Sequence, residues 1–269
     1  ESVHIDTLNP VSQENITLRT GLTGGFLKAV EYNLNRNATD LRFFEVGHVF
    51  QKSGLHTWIK GVQEHTHLLF GLCGEKKPDD WRGDAINYST FDLKADLSAF
   101  LRQILGSSDF IIQTKDDHTL NYLWGEEIIA TLSLADEKLL KGFNIEKEVF
   151  IAEIDLTKVM KRTHELPVVK YTPIPKFPTF EFDAAFTVDS ETRTGDMSQV
   201  IKQAAGEILK EISVFDVYEG ENLGKGKKSI AFRLTFLDSN KTLNIKDVEP
   251  VVQKIVQKLE AQFNAKLRS

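Results

Sequence analysis

The stretch VFDVYEGENLGKGKKSIAFRLTF, residues 214–236, decides the fold of the C-terminal part of the chain. Apolar side chains alternate with polar or small ones toward both of its ends, which predicts two half-buried strands. Between them, Gly224 and Gly226 predict a hairpin loop, because glycine adopts the positive φ angles that such loops use. The stretch therefore predicts a pair of antiparallel strands.

Lys225, Lys227 and Lys228 lie in the same loop and raise the question of a nucleotide-binding P-loop. A P-loop needs the spacing G-x-x-x-x-G-K-[ST] between a strand and a helix. Here the interval from Gly220 to Gly226 is one residue too long, a second lysine follows Lys227, and the next element is a strand. This spacing argues against an ATP site and favours the hairpin.

The sequence around the hairpin predicts an α+β arrangement in the order β-α-β-β-α-β, which is typical of ferredoxin-like domains. Alternation predicts the strands, apolar residues at helical spacing predict the helices, and Asn244 is the expected N-cap of the last helix. The predicted elements are strands at 182–189, 212–220, 228–238 and 265–268, and helices at 196–209 and 245–263.

Both helices of such a domain lie on one face of the sheet, so we call the other face the helix-free face. We expect it to carry Asp216, Tyr218, Ser229 and Arg233, and we expect Phe215 on the opposite face. The three lysines should lie beside it. A ring that stacks on a base, polar groups that read its edge and cations that meet phosphate predict binding of unpaired RNA. A solvated face without a ligand is the alternative.

Four prolines, Pro167, Pro173, Pro175 and Pro178, mark an extended linker upstream of this domain. We therefore place a boundary near residue 170 and predict two domains, 1–169 and 170–269. In the first, mostly antiparallel strands with a few helices on one face predict an α+β domain. Its predicted helices are 21–36 and 91–105, and its predicted strands are 2–6, 16–19, 41–51, 65–74, 109–114, 126–134 and 149–155.

The composition limits the functions that the chain can have. Its 269 residues carry a formal net charge of −6, with −7 in residues 1–169 and +1 in residues 170–269, so the whole chain is not a general nucleic-acid binder. The single cysteine, Cys73, excludes an internal disulfide and fits a reducing compartment. No apolar stretch approaches the length of a membrane span. Because the chain begins at Glu1, we expect it to be a fragment of a longer protein.

Two acidic or histidine-containing motifs invite a metal hypothesis. His65 and His67 share one side of a predicted strand, but two histidines without a third ligand favour a solvated edge. Asp79, Asp80 and Asp84 favour a solvated turn over a Mg²⁺ site. We therefore predict no metal site and no catalytic residue in this chain, since no motif of a complete active site occurs.

Longer segments carry a family resemblance. YTPIPKFPTFEFDAAFTVD (171–189) and VFDVYEGENLGKGKKSIAFRLTFLDSNKTLN (214–244) resemble the C-terminal anticodon-binding domain of the bacterial phenylalanyl-tRNA synthetase β subunit. LNPVSQENITLRTGLTGGFLKAVEYNLNR (8–36), LRFFEVGHVF (41–50) and FDLKADL (91–97) resemble its core, a class II aminoacyl-tRNA synthetase-like antiparallel domain. The chain departs from the family at Glu181-Phe182, where two arginines are usual, and at 117–123.

The resemblance implies a cytoplasmic heterotetramer of two α and two β chains. The α subunit uses ATP and Mg²⁺ to attach phenylalanine to tRNA(Phe), while the β core is non-catalytic and serves as a scaffold. Arg42 and Glu45 stand at positions like those of motif 2, and their expected role here is structural. The implied RNA-binding residues are Asp216, Tyr218, Lys225, Lys227, Lys228, Ser229 and Arg233.

Two other functions remain open on the residues alone. A ferredoxin-like module that binds a small regulatory molecule would pair through an apolar edge and make no RNA contact. A free-standing enzyme would catalyse ATP–pyrophosphate exchange without a partner. Titration with tRNA and an exchange assay separate these alternatives from the RNA-binding hypothesis.

Overall fold

A computed structural model describes residues 5–10, 16–38, 40–53, 61–106, 110–163, 171 and 174–268. The chain forms two compact units, Glu1–Val169 and Lys170–Ser269. Residue 170, where the sequence predicts the boundary, lies outside the described residues, as does most of the strand predicted at 2–6.

The first unit is built on a six-stranded antiparallel sheet. Its strand order is β1-β2-β8-β7-β6-β5, so that β1 and β5 form the two edges, and β3 pairs with β4 in a separate ribbon. The strands are β1 Leu41–Lys52, β2 Val62–Cys73, β3 Glu75–Lys77, β4 Ile86–Asn87, β5 Ile111–Asp116, β6 Thr119–Trp124, β7 Glu127–Leu134 and β8 Val149–Asp155. The helices are α1 Thr23–Leu34, α2 Thr90–Leu105, α3 Glu137–Gly142 and α4 Leu156–Thr163.

Helices cover both faces of this sheet. Leu69 and Cys73 of β2 pack in one core with α1, whereas Leu68 and Leu72 pack in another core with α2. Successive side chains of a strand point to opposite faces, so α1 and α2 lie on opposite sides. The expectation of helices on one face was therefore wrong, because β2 and β8 are apolar on both faces and each face has to be buried.

The sequence also missed several short elements of the first unit. Strand β6 overlaps the segment 117–123 that departs from the family, and it pairs with both β5 and β7. Its buried residues, Asn121 and Tyr122, occupy adjacent positions, so no clean alternation marks it as a half-buried strand. Helices α3 and α4 have six and eight residues, too few for a clear helical period.

The second unit confirms the predicted β-α-β-β-α-β order. Its four-stranded antiparallel sheet has the order β10-β11-β9-β12, and both helices share one core with the sheet. The strands are β9 Phe180–Asp189, β10 Leu209–Tyr218, β11 Lys227–Phe236 and β12 Lys266–Arg268, and the helices are α5 Thr194–Ala205 and α6 Ile245–Phe263.

The structure also confirms Asn244 as the N-cap of α6. The Asn244 side chain accepts a hydrogen bond from the backbone N–H of Lys246, and the Asp247 carboxylate accepts one from the backbone N–H of Asn244. This reciprocal pair satisfies backbone donors at the helix N-terminus that have no partner within the helix. Among the described residues, no helix has the length and apolar character that crossing a membrane requires.

Candidate nucleic-acid interface

The loop between β10 and β11 has the geometry of a hairpin. Gly224 and Gly226 have φ angles of 88° and 72°, in the region that glycine adopts without strain. The chain then enters β11, so no helix N-terminus follows that would receive the phosphates of a nucleotide. The rejection of the P-loop is confirmed.

Strand pairing brings several of the predicted residues together. Tyr218 lies opposite Ser229, and Asp216 lies opposite Ala231. Directly opposed residues share a face of the sheet, and the alternate residues of β11, such as Ile230 and Phe232, are buried against the helices. Tyr218, Asp216 and Ser229 therefore lie on the helix-free face.

A β-bulge in β10 adds an aromatic ring to this face. The register shifts between Val214 and Asp216, so that Phe215 is an extra residue in the strand. The Phe215 ring lies 5.2 Å from the guanidinium carbon of Arg233. Phe215 is therefore beside Arg233 on the helix-free face, and its predicted position on the opposite face was wrong because strict alternation ends at a bulge.

Arg233 is paired within the protein. Its Nε and Nη2 atoms donate to the two oxygens of Asp183, both at 2.8 Å, and Glu181 lies at 3.8 Å. Hydrogen bonding to Arg233 holds the pKa of the Asp183 carboxyl below its ordinary value, and the same contact raises the pKa of Arg233. An incoming phosphate has to share Arg233 with Asp183.

Ser229 occupies the helix-free face but is buried, with 4% of its surface exposed. The Nη1 atom of Arg268 donates to its hydroxyl oxygen at 3.1 Å. Arg268 lies on β12, opposite Ala185 of β9, and so reaches across β9 to Ser229. Arg268 has no role predicted from the sequence, since only strand order shows that the end of the chain returns to this face.

The three lysines of the hairpin differ in their surroundings. Lys225 is exposed at the tip of the loop, and the described residues provide it with no ion-pair partner. Lys227 donates to Asp189 at 2.6 Å, so its charge is already paired. Lys228 is half-buried and lies opposite Val188, on the helix-covered side of the sheet. Strand alternation therefore places Lys227 on the helix-free face and Lys228 on the other, while Lys225 lies at the tip of the loop between the strands.

In the first unit, the two motif-2-like residues do not converge. Arg42 pairs with Asp96 of α2 at 2.8 Å, whereas Glu45 accepts a hydrogen bond from Arg19 at 2.7 Å. Arg42 and Glu45 are three residues apart on β1 and thus point to opposite faces. They cannot contact one ligand together, and each makes a structural ion pair.

Of the two metal-site candidates, the aspartate motif is a solvated turn as predicted, with Asp79 and Asp84 exposed, whereas the histidine pair is not a solvated edge. Asp80 pairs with Arg82 at 2.6 Å, and this hydrogen bonding lowers the pKa of its carboxyl. His65 is buried rather than solvated, and Asp155 lies beside it and His67. Among the described residues, these three form the one group whose geometry suits a metal ion.

Both units match known family models. Residues 1–156 match the family model of the phenylalanyl tRNA synthetase beta chain CLM domain, and residues 175–268 match that of the ferredoxin-fold anticodon binding domain. A solved structure of a pyrrolysyl tRNA synthetase, Desulfitobacterium hafniense PylSc, covers 59% of this chain and 54% of its own, with a TM-score of 0.42 and 15% identity.

Curated relatives match along nearly the whole chain. The phenylalanine–tRNA ligase beta subunit of Bacillus licheniformis is 34% identical over 96% of this chain and 32% of its own length. That of Bacteroides fragilis is 30% identical over 97% of this chain and 33% of its own. The chain thus spans about a third of the length of these relatives. Because the synthetase family model covers more than half of its residues, the chain belongs to the phenylalanyl-tRNA synthetase β-chain family.

Proposed function

We propose that residues 170–269 bind the anticodon region of tRNA(Phe) through the helix-free face, as part of the β subunit of a phenylalanine–tRNA ligase. The observation that carries this proposal is the exposed pair Tyr218 and Phe215 on that face. The match of residues 175–268 to an anticodon-binding family supports the same function.

Each group on the face has a distinct role in this proposal. The Tyr218 ring stacks on an anticodon base, and Asp216 accepts hydrogen bonds from the edge of a base. Phe215 offers a second ring, beside a guanidinium group that also stacks on bases. Ser229 is buried and accepts a hydrogen bond from Arg268, so it contacts the RNA only when Arg268 moves away from it.

The cations meet phosphate or sugar in two ways. Lys225 contacts the polynucleotide directly, because its exposed ammonium group has no ion pair among the described residues that would first have to break. Lys227 and Arg233 exchange Asp189 and Asp183 for the ligand, which reduces the gain from each contact. Arg268 adds a cation beside Ser229. Lys228 lies on the helix-covered side, so we expect it to make no direct contact with the polynucleotide.

Residues 1–169 serve as a non-catalytic scaffold for the α subunit in this proposal. The exposed Phe44 and Val46 form an apolar stripe on the edge strand β1, which suits a protein partner. The complete enzyme is a cytoplasmic heterotetramer with a second αβ pair, and it uses ATP and Mg²⁺ held outside this chain. The separation of Arg42 and Glu45 supports the scaffold role, and ATP–pyrophosphate exchange by the purified chain would contradict it.

The test is the affinity for tRNA(Phe) of the assembled αβ enzyme with Tyr218→Ala. Loss of a stacked base predicts a decrease of about 1–3 kcal/mol in binding free energy. Tyr218→Phe is the matched control, because it keeps the ring and removes only the hydroxyl group, and we expect affinity close to that of the unmodified enzyme. Unchanged affinity in Tyr218→Ala would instead favour the small-molecule regulatory module.

A further inference from the structure

Four ionisable side chains meet on the α1-covered face of the first unit. His65 and His67 alternate on β2, while Glu153 and Asp155 alternate on the adjacent strand β8, with His67 directly opposite Asp155. Glu153 also accepts a hydrogen bond from the backbone N–H of Leu22 at the start of α1. The helix start and two central strands therefore hold the cluster in place.

One oxygen atom of Asp155 is the centre of the cluster. Its Oδ2 atom lies 2.9 Å from Nδ1 of His65 and 3.8 Å from Nε2 of His67. Each of these residues offers one ligand atom, and the three atoms lie within 4.8 Å of one another. Bonds of about 2.0–2.1 Å in a tetrahedral zinc site separate neighbouring ligand atoms by about 3.3 Å, which lies between the two distances.

The orientation of His67 is the second observation that indicates a ligand. Its Nδ1 atom lies 2.7 Å from Oε1 of Glu153, and a carboxylate only accepts hydrogen bonds, so Nδ1 carries the proton. The Nε2 atom is then free to coordinate. Among the described residues, Nε2 is the only buried side-chain nitrogen or oxygen atom without a hydrogen-bond partner. A buried polar atom without a partner is unfavourable, and a metal ion would satisfy it.

We propose that His65, His67 and Asp155 bind a divalent transition-metal ion, with Zn²⁺ preferred. Two imidazole nitrogens and one carboxylate oxygen suit zinc and leave a fourth position for water. Glu153 orients His67 from behind, as carboxylates do for metal-binding histidines. The ammonium group of Lys158, 3.9 Å from Oδ2 of Asp155, is the competing cation that the metal ion displaces.

The test is titration of the full 269-residue chain with Co²⁺, a spectroscopic substitute for Zn²⁺, followed by competition with Zn²⁺. We expect visible absorption bands of a four-coordinate Co²⁺ ion at one equivalent, and their loss when Zn²⁺ is added. We also expect Zn²⁺ to raise the unfolding temperature, because an ion that binds only the folded state stabilises it.

Variants separate this site from adventitious binding. His67→Gln and Asp155→Asn should abolish the bands, and Glu153→Gln should weaken binding by about 10- to 100-fold. His48→Gln is the matched control, because His48 forms a similar pair with Glu64 at 2.8 Å but is exposed on β1. Circular dichroism identifies the variants that fold. Co²⁺ spectra that are the same in the unmodified chain and in a folded His67→Gln variant, or equal Co²⁺ affinity in a folded Glu153→Gln variant, would overturn the proposal.

Discussion

The hydroxyl group of Tyr218 occupies the space that a β-carbon at position 220 would fill, so only glycine at that position permits the observed ring orientation. The ring lies over the backbone of Gly220 at the end of β10, where it remains about half exposed. Gly220 thus determines the orientation of the Tyr218 ring, which we propose to stack on an anticodon base.

Gly220→Ala should therefore move the Tyr218 ring without unfolding the domain. Alanine at this position clashes with the far end of a side chain that can rotate, so we expect little change in the unfolding temperature. The affinity for tRNA(Phe) should fall, by at most the roughly 1–3 kcal/mol expected from losing the stacking contact altogether. Binding of the assembled enzyme to tRNA measures this effect.

The control for Gly220→Ala is Gly195→Ala in the first turn of α5. A β-carbon at Gly195 meets no atom within 4 Å, and the backbone there does not need glycine. We expect Gly195→Ala to leave tRNA affinity unchanged. Equal affinity of the two variants would show that the ring orientation set by Gly220 has no part in binding.

Salt dependence distinguishes the free lysine of the hairpin from the paired one. Each phosphate contact contributes a slope of about −0.7 to the plot of log affinity against log salt concentration for a single strand. We expect Lys225→Ala to remove about one such contact. Lys227→Ala should change the slope less, because Lys227 already neutralises Asp189. A larger effect of Lys227→Ala than of Lys225→Ala would contradict this assignment.

The exposed stripe on β1 predicts where the first unit meets its partner. Phe44 and Val46 are 72% and 55% exposed and alternate on one face of an edge strand. We expect Phe44→Asp to weaken association with the α subunit, because a charge buried in an apolar interface is unfavourable. Ile111→Asp is the control, since Ile111 is a single exposed apolar residue on the opposite edge strand, β5. Co-purification of the two subunits measures both variants.

The sequence predicted the features that depend on local patterns. Alternation of apolar residues in β11, such as Ile230 and Phe232, assigned the helix-covered face correctly, and Asn244 marked the start of α6. These signals are strong because burial and capping act on residues close together in the chain. The general architecture of the second unit followed from them.

The missed features depend on contacts between distant residues. Asp155 joins His65 and His67 through the pairing of β2 with β8, about ninety residues along the chain. Arg268 reaches Ser229 only because β12 lies next to β9. The bulge at Phe215 interrupts the strand pairing, although the alternation of residue types in the sequence continues through it. None of these has a signal within a short window of sequence.

Acid sensitivity of the first unit gives the last prediction. Asp92, at the start of α2, accepts hydrogen bonds from Lys76 at 2.6 Å and from the backbone N–H of Ser89 at 2.9 Å. These contacts, with that to Lys76 the largest, lower the pKa of Asp92 from 3.8 to about 2. The folded state thus favours the carboxylate, so its contribution to stability is present above about pH 4 and is lost as the pH falls toward 2.

Asp92→Asn should therefore lower the free energy of unfolding by about 1 kcal/mol near neutral pH, a value typical of a lost helix-capping contact. The difference from the unmodified chain should shrink as the pH falls from about 4 toward 2, because protonated Asp92 no longer favours the folded state. Urea unfolding over this pH range measures the difference, with Asp117→Asn in the exposed turn between β5 and β6 as the control. A difference that stays constant with pH would mean that Asp92 stabilises α2 by packing and not through its charge.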